Sequence, residues 1–192
     1  MDMICRKIMN ASILDTEVIQ ETESLKQDSG FDINSAWEYN NCSILINAVL
    51  QSRKELVEYL LKDPDININR ADPNNNCTAL YWACVYANVS ILKLLLDHRN
   101  IDVNIQTSGG WTGLHNVSSN NKIKIVRELL LDARINTSLR DKWRNIAEDH
   151  ARWRGYYGIA NMLKRTGCTF LLRIPNASLC RDIVRMIICE YV

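Results

Sequence analysis

The stretch GGWTGLHNVSSNNKIKIVRELLL, residues 109–131, decides the fold of this 192-residue chain. A glycine-containing turn is followed by a short helical segment from Thr112 and by a second segment with apolar residues at Ile125, Val126, Leu129 and Leu130. That spacing places one apolar stripe on a single helix face. Such a pair of helices cannot bury its stripe alone, so we expect similar pairs to stack beside it.

Three other segments of the chain fall into register with this one. The four units, aligned on the turn before each first helix, begin at Ser43, Thr78, Thr112 and Ile146, which gives steps of 35, 34 and 34 residues. A second marker has nearly the same period, since an aspartate- and asparagine-rich turn ends each preceding segment, at Asn34, Asn69, Asn104 and Asn136-Thr137. Small residues recur within the first helices, at Ala48, Ala83, Val117 and Ala151. Two markers with one period predict a repeat array.

The repeat resembles that of the ankyrin family. The family motif Thr-Pro-Leu-His-x-Ala is matched by TGLH from Thr112 and by TALYWA from Thr78, and the later Gly-x-x-x-Ile-Val element by GYYGIANML from Gly155. No unit keeps the proline of the motif, and the fourth begins with Ile146 in place of threonine. The resemblance covers residues 31–167 and implies an all-α solenoid of stacked helix pairs.

The resulting domain prediction has three parts. Residues 1–34 form an N-terminal helical capping unit, residues 35–167 hold four repeats, and residues 168–192 contain a C-terminal helix that packs on the last repeat. The repeats are placed at about 38–72, 73–106, 107–140 and 141–167, and TFLLRIP after Cys168 is expected to be an irregular link.

Composition and motifs disfavour several functional classes. The net charge of +1 gives no general electrostatic reason to bind nucleic acid or a membrane, and no phosphate loop, catalytic constellation or metal cluster is visible. We therefore expect no catalytic residue, cofactor or metal, and a monomer. An odd count of seven cysteines, with no readable signal peptide or membrane span, favours the reducing cytoplasm or nucleus.

His115 and His150 are the two residues that could carry chemistry. The family resemblance implies that His115 hydrogen-bonds the backbone of the adjacent turn, whereas a catalytic role would need a nucleophile or carboxylate that the residues after it lack. His150 is expected to pack between repeats, the alternative being a metal ligand. Cys42 and Cys77 share one turn position, where a cysteine is either small filler or a reactive thiol.

The resemblance also implies where a protein partner binds. In ankyrin proteins, partners dock on the turns and on the exposed face of each first helix. Those positions hold Tyr39, Asn74, Asn75, Tyr86, Trp111, Ser119, Asn120, Lys142, Trp143, Trp153 and Arg154. Tyrosine, tryptophan and arginine dominate binding hot spots, so we predict a protein-binding face on the concave side of the solenoid. The alternative is that several of these aromatic residues fold back over the core.

The C-terminal segment allows a second function. Its apolar stripe at Leu179, Ile183 and Ile187 either covers the last repeat or recruits another protein. The segment is faintly similar to the F-box-like tails of the PRANC type and to the first half of a SOCS box. The alternative function is therefore that of a substrate adaptor for a ubiquitin ligase.

Overall fold

A computed structural model describes residues 7, 10, 13–27, 30–36 and 41–171 of the protein, with side chains up to residue 166. Nine helices have defined bounds within these residues, and the only pairing between extended segments in this part of the chain is an isolated antiparallel bridge between Ala71 and Thr78. The helices are α1 (Asp15–Lys26), α2 (Ile44–Leu50), α3 (Lys54–Leu60), α4 (Ala79–Val85), α5 (Val89–Asp97), α6 (Gly113–Ser119), α7 (Ile123–Leu130), α8 (Ala147–Trp153) and α9 (Tyr157–Leu171).

The chain divides into two compact units, Met1–Ile101 and Asp102–Val192. In the first unit, α2 packs against α4, and α3 packs against both α1 and α5. In the second unit, α6 packs against α8 and α7 against α9. Within each unit, first helices therefore pack on first helices and second helices on second helices. This is the arrangement that the apolar stripes require, because each stripe is buried by its neighbour.

The expected core positions are buried. Ala48, Ala83, Val117 and Ala151 are fully buried, and the second helices bury Leu56, Val57, Leu60, Ile91, Leu92, Leu95, Ile125, Val126, Leu129, Leu130, Ile159, Ala160 and Leu163. Leu61 and Leu96, the last stripe positions of the first two repeats, are only partly buried. Leu61 lies just past the end of α3, where the stripe is no longer held on the helix face.

The residues that set the register are helix N-caps. The side-chain oxygens of Ser43, Thr78 and Thr112 accept hydrogen bonds from backbone N–H groups three residues later, at 3.4, 3.2 and 3.4 Å. Ile146 has no acceptor in its side chain, and Asp149 instead accepts from the Ile146 backbone N–H at 3.0 Å. The first helix of the fourth repeat thus keeps a hydrogen bond at its N-terminus without the threonine of the motif.

Each helix pair is joined by a residue in the left-handed region. Ser52, Ala87, Asn121 and Gly155 have φ values of 56°, 54°, 56° and 78°. After each, the next backbone N–H returns to the carbonyl of the small residue in the first helix, as from Arg53 to Ala48 at 2.9 Å and from Asn88 to Ala83 at 3.1 Å. This is the Schellman ending of a helix, and it repeats with the period of the sequence.

Asparagine side chains connect successive repeats. In the first unit, Asn34 donates to the carbonyl of Asp65 at 2.7 Å and accepts from the Asn67 N–H at 2.6 Å. In the second unit, Asn104 makes the same pair of bonds to Arg134 and Asn136, both at 2.8 Å. Asn34 and Asn104 therefore fix the spacing to the following repeat, which explains why an asparagine at this position serves as a phase marker.

The two ends of the array agree only in part with the sequence prediction. The helix α1 buries only Val18 and Thr22, as suits a polar terminal unit. At the other end, α9 continues through Gly167 to Leu171, so the prediction of an irregular link directly after Cys168 is wrong. The helix continues because no proline occurs between Tyr157 and Pro175, and its apolar stripe extends to Met162 and Leu163. The predicted C-terminal helix lies outside the described residues, and the domain boundaries stay a prediction.

Candidate protein-binding surface

The turn before α8 is organised by a buried carboxylate, Asp141. Only 5% of this residue is exposed. Its Oδ1 accepts hydrogen bonds from the backbone N–H groups of Trp143 and Asn145, both at 2.9 Å, and its Oδ2 lies 2.7 Å from Nε2 of His150. Burial alone would raise the pKa of Asp141, but the hydrogen bonds from Asn145, His150 and Trp143 outweigh it, so the pKa lies below its ordinary value. Asp141 thus holds the turn as an ionised acceptor.

This turn also packs on the turn of the preceding repeat. The carbonyl of Gly109 accepts from the Lys142 N–H at 3.1 Å. Gly110 has a φ of 80°, and a Cβ there would lie 2.8 Å from the Lys142 nitrogen and 2.9 Å from Cα of Asp141. The close approach of the two turns therefore requires glycine at position 110.

A row of rings connects this turn with helix α8. The ring centroid of His150 lies 4.7 Å from that of Trp111 and 5.6 Å from that of Trp153. His115 lies on the inner side, 5.9 Å from His150. Because His150 is also bonded to Asp141, its ring links the turn to Trp153 on the exposed side of α8. His150 thus packs between repeats, as expected, and its bond to Asp141 was not anticipated.

His115 is a structural residue. It is 1% exposed, its Nδ1 accepts from the Thr112 N–H at 3.2 Å, and its Nε2 lies 3.3 Å from the carbonyl oxygen of Asn145. Burial lowers the pKa of His115. A neutral ring bonded on both nitrogens to the turns of two repeats favours the structural role over the catalytic alternative.

The sequence placed several residues correctly at the surface of the second unit. Trp143 and Trp153 are 68% and 67% exposed, and Lys142 and Arg154 are exposed as well. Tryptophan is enriched in binding hot spots, so two tryptophans that are exposed to this extent favour a binding surface. We call the exposed side chains Lys142, Trp143, Arg144, Trp153 and Arg154 the 142–154 surface. Arg144 was not among the predicted residues, and its neighbour Trp143 was the available signal.

Other predicted residues are placed differently. Ser119 is only 5% exposed, so its assignment to an exposed face is wrong, because the end of α6 turns its small side chain inward. Trp111 is partly buried, with its ring 4.7 Å from that of His150 in the following repeat, which is the alternative in which an aromatic residue folds back over the core. Asn120 is exposed, but its amide donates to the Asn116 carbonyl at 2.9 Å. Tyr39 lies outside the described residues.

The first unit repeats the turn geometry with different side chains. Asp72, 4% exposed, accepts from the N–H groups of Asn74, Asn75 and Cys77 at 3.1, 2.8 and 3.0 Å, and leaves both asparagine side chains exposed. Tyr86 is 55% exposed, with its ring 6.2 Å from that of Trp82. Sequence reasoning missed Trp82, although its i, i+4 spacing from Tyr86 was a usable signal.

The repeats of the chain match a known family. The family model for ankyrin repeats (3 copies) matches residues 17–107. Residues 17–107 of the chain are ankyrin repeats. The match begins inside α1, within the segment predicted as a capping unit. No curated protein matches the chain. Ankyrin repeats are generally protein-protein interaction modules and generally non-enzymatic, so the family supports a protein partner for this ankyrin chain.

The cysteines of the ankyrin turns are not activated thiols. Burial raises the pKa of Cys42 to about 11 and that of Cys77 to about 12, with Asp72 adding to both shifts. The fully buried Cys84 also has a pKa of about 12 because of burial. Thiols with such values are not ionised at neutral pH, which favours the filler role over the reactive one.

The described residues present neither a cluster of metal ligands nor a membrane span. No group of three or more histidine, cysteine, aspartate or glutamate side chains there is arranged to hold a metal ion. None of the described helices is long and apolar enough to cross a membrane. Glu148 and Arg152 pair at i, i+4 on the exposed side of α8, and this is an ordinary surface ion pair.

Proposed function

We propose that this ankyrin repeat protein binds a protein partner through its turns and the exposed sides of its first helices, with the 142–154 surface as the main site. The family supports a protein partner in general. The choice of the 142–154 surface rests on two largely exposed tryptophans, Trp143 in a turn and Trp153 in the helix that follows it.

The rigidity of the surface supports this proposal. Trp143 follows a carboxylate that holds the turn backbone by two hydrogen bonds, and Trp153 ends a helix whose inner side is fixed by the buried Ala151. Aromatic side chains on a rigid frame lose little conformational entropy when they are buried by a partner. The two rings therefore suit a preformed binding site.

Affinity capture from the native cell tests the proposal. The double variant Trp143→Ala/Trp153→Ala is compared with the wild-type protein and with Leu14→Ala, which removes a residue that is 65% exposed in the other unit. If both tryptophans are hot spots, each substitution weakens binding by about 2 kcal/mol, or roughly thirtyfold. We expect mass spectrometry to find a protein held by the wild type and Leu14→Ala but lost from the double variant. Equal capture by all three folded proteins would place the interface elsewhere.

The ligase-adaptor function stays an alternative prediction. The ligase-adaptor alternative depends on residues 176–192, which lie outside the described residues, and nothing in the family match supports it. The concave position of the site, the monomeric state and the cytoplasmic or nuclear location stay predictions.

A further inference from the structure

The small net charge of the chain conceals a strong segregation of charge. Residues 1–101 carry 9 lysines and arginines against 14 aspartates and glutamates, a formal charge of −5. Residues 102–192 carry 14 against 8, a formal charge of +6. The two tryptophans of the 142–154 surface therefore lie in the basic unit. Charge of one sign beside a binding surface selects partners of the opposite sign.

The acidic residues near the tryptophans are all engaged within the protein. Residues 140–154 contain three carboxylates. Asp141 is buried and bonded to its own turn, Asp149 accepts from the Ile146 N–H at 3.0 Å, and Glu148 pairs with Arg152. None of the three is available to neutralise the other cations of this segment.

Four cations of the same segment that form no described ion pair face water, and one of them, Arg140, donates to the carbonyl of Arg144 at 2.6 Å. Lys142, Arg144 and Arg154 are exposed and form no ion pair with any residue that the structure describes. Lys142 and Arg144 flank Trp143, and Arg154 follows Trp153 directly. Each tryptophan thus has at least one cation beside it whose charge has no partner.

We infer that the 142–154 surface binds an acidic segment of a partner protein, in which apolar or aromatic side chains alternate with carboxylates. The inference rests on the proposed function and adds the chemistry of the partner. The apolar side chains bury against Trp143 and Trp153, and the carboxylates pair with Lys142, Arg144 and Arg154. Arginine offers a carboxylate two parallel hydrogen bonds, and pairs that are partly desolvated by the neighbouring rings are stronger than exposed ones.

An acidic protein segment fits better than a nucleic acid. A phosphate backbone is held by many cations in a continuous track, whereas here three cations alternate with tryptophans and with the carboxylates of Glu148 and Asp149. Glu148 and Asp149 therefore interrupt the continuous basic track that a phosphate backbone would follow. The ankyrin family also points to a protein as the partner.

Fluorescence anisotropy with the full chain tests the inference. The probe is a short labelled peptide in which glutamate and aspartate alternate with leucine and phenylalanine, and its control is the same peptide with glutamine and asparagine in place of the acids. A single-stranded DNA oligonucleotide of equal length is the third ligand. The protein variants are Lys142→Glu/Arg154→Glu and the charge-matched control Lys122→Glu/Lys124→Glu, which changes two exposed lysines at the start of α7 in the same unit. Circular dichroism confirms that each variant is folded, and Lys142→Gln/Arg154→Gln replaces the first if it is not.

The expected result is binding of the acidic peptide that weakens with salt and is at least about tenfold tighter than that of the amide peptide. Lys142→Glu/Arg154→Glu should lose at least about tenfold in affinity, and the control much less, because only the first pair flanks the tryptophans. No binding of the acidic peptide, equal binding of the amide peptide, or equal losses in both double variants would overturn the inference. Tighter binding of the DNA, lost in the same variant, would assign the surface to nucleic acid instead. If the captured partner is lost with Trp143→Ala/Trp153→Ala but kept with Lys142→Glu/Arg154→Glu, the proposed function stands and the acidic segment does not.

Discussion

Replacing Asp141 by alanine should destabilise the second unit and loosen the turn that presents Trp143. The substitution leaves two backbone N–H groups and the His150 ring without the acceptor they have at 2.9, 2.9 and 2.7 Å. An unsatisfied donor costs about 1–3 kcal/mol, and the turn lies close enough to water for the lower end of that range to apply. We therefore expect a loss of about 3 kcal/mol in the free energy of unfolding.

Two further variants separate the hydrogen bonds from the charge. Asp141→Asn keeps an oxygen for the Trp143 and Asn145 N–H groups and loses only the carboxylate oxygen that lies 2.7 Å from Nε2 of His150, so it should cost about 1 kcal/mol. Asp132→Ala is the control in the same unit, because this carboxylate accepts from the Arg134 backbone N–H at 2.9 Å and pairs with the exposed Arg134 guanidinium at 2.6 Å. Since an exposed ion pair adds little, its loss should also cost about 1 kcal/mol.

Urea denaturation followed by tryptophan fluorescence measures all three. The order of stability should be wild type, then Asp141→Asn and Asp132→Ala together, then Asp141→Ala. If Asp141→Ala were as stable as the wild type, or no worse than Asp141→Asn, the carboxylate would not organise the turn as described.

Two further predictions concern the frame. Ala87→Gly should stabilise the first unit by about 1 kcal/mol, because alanine at a φ of 54° is strained and glycine is not. Ala83→Gly, inside α4 and fully buried, should instead destabilise it, and equal effects in urea denaturation would contradict the assignment of the left-handed position. Stability should also fall as the pH drops below about 6.5, the ordinary pKa of histidine. The pKa of His115 is lowered in the folded state, so the unfolded chain binds a proton at higher pH than the folded protein does. Lowering the pH therefore stabilises the unfolded state relative to the folded one. Urea midpoints measured across this range should show a flatter slope for His115→Asn, whereas His98→Asn, which removes a more exposed histidine with a lowered pKa, should keep more of the slope.

Much of the fold could be predicted because the repeat imposes the same local demands four times. Ser43, Thr78 and Thr112 are helix caps wherever the sequence places them before an apolar segment, and the buried stripes follow from helical spacing. The connecting asparagines were visible as a periodic marker, although their bonds to the next repeat were not. Local interactions that recur with the repeat period can be predicted from a single sequence.

The candidate site was less predictable because it depends on contacts between turns and helices. Asp141 looks like a surface residue in the sequence and is buried only because a turn folds around its carboxylate. Trp111 and Trp143 occupy similar turns, yet one rests against His150 while the other is exposed. Ser119 is buried although its position in the repeat resembles that of the exposed Trp153. These differences arise from neighbouring side chains, which the period does not specify.

The most direct test of the protein-binding account is amide hydrogen exchange of the chain alone and with its captured partner. The account predicts that slowed exchange concentrates in the peptides that contain residues 141–145 and 150–155, where Trp143 and Trp153 would be covered. Slowed exchange confined to other segments, with these peptides unchanged at saturating partner, would contradict the claim that the 142–154 surface is the binding site.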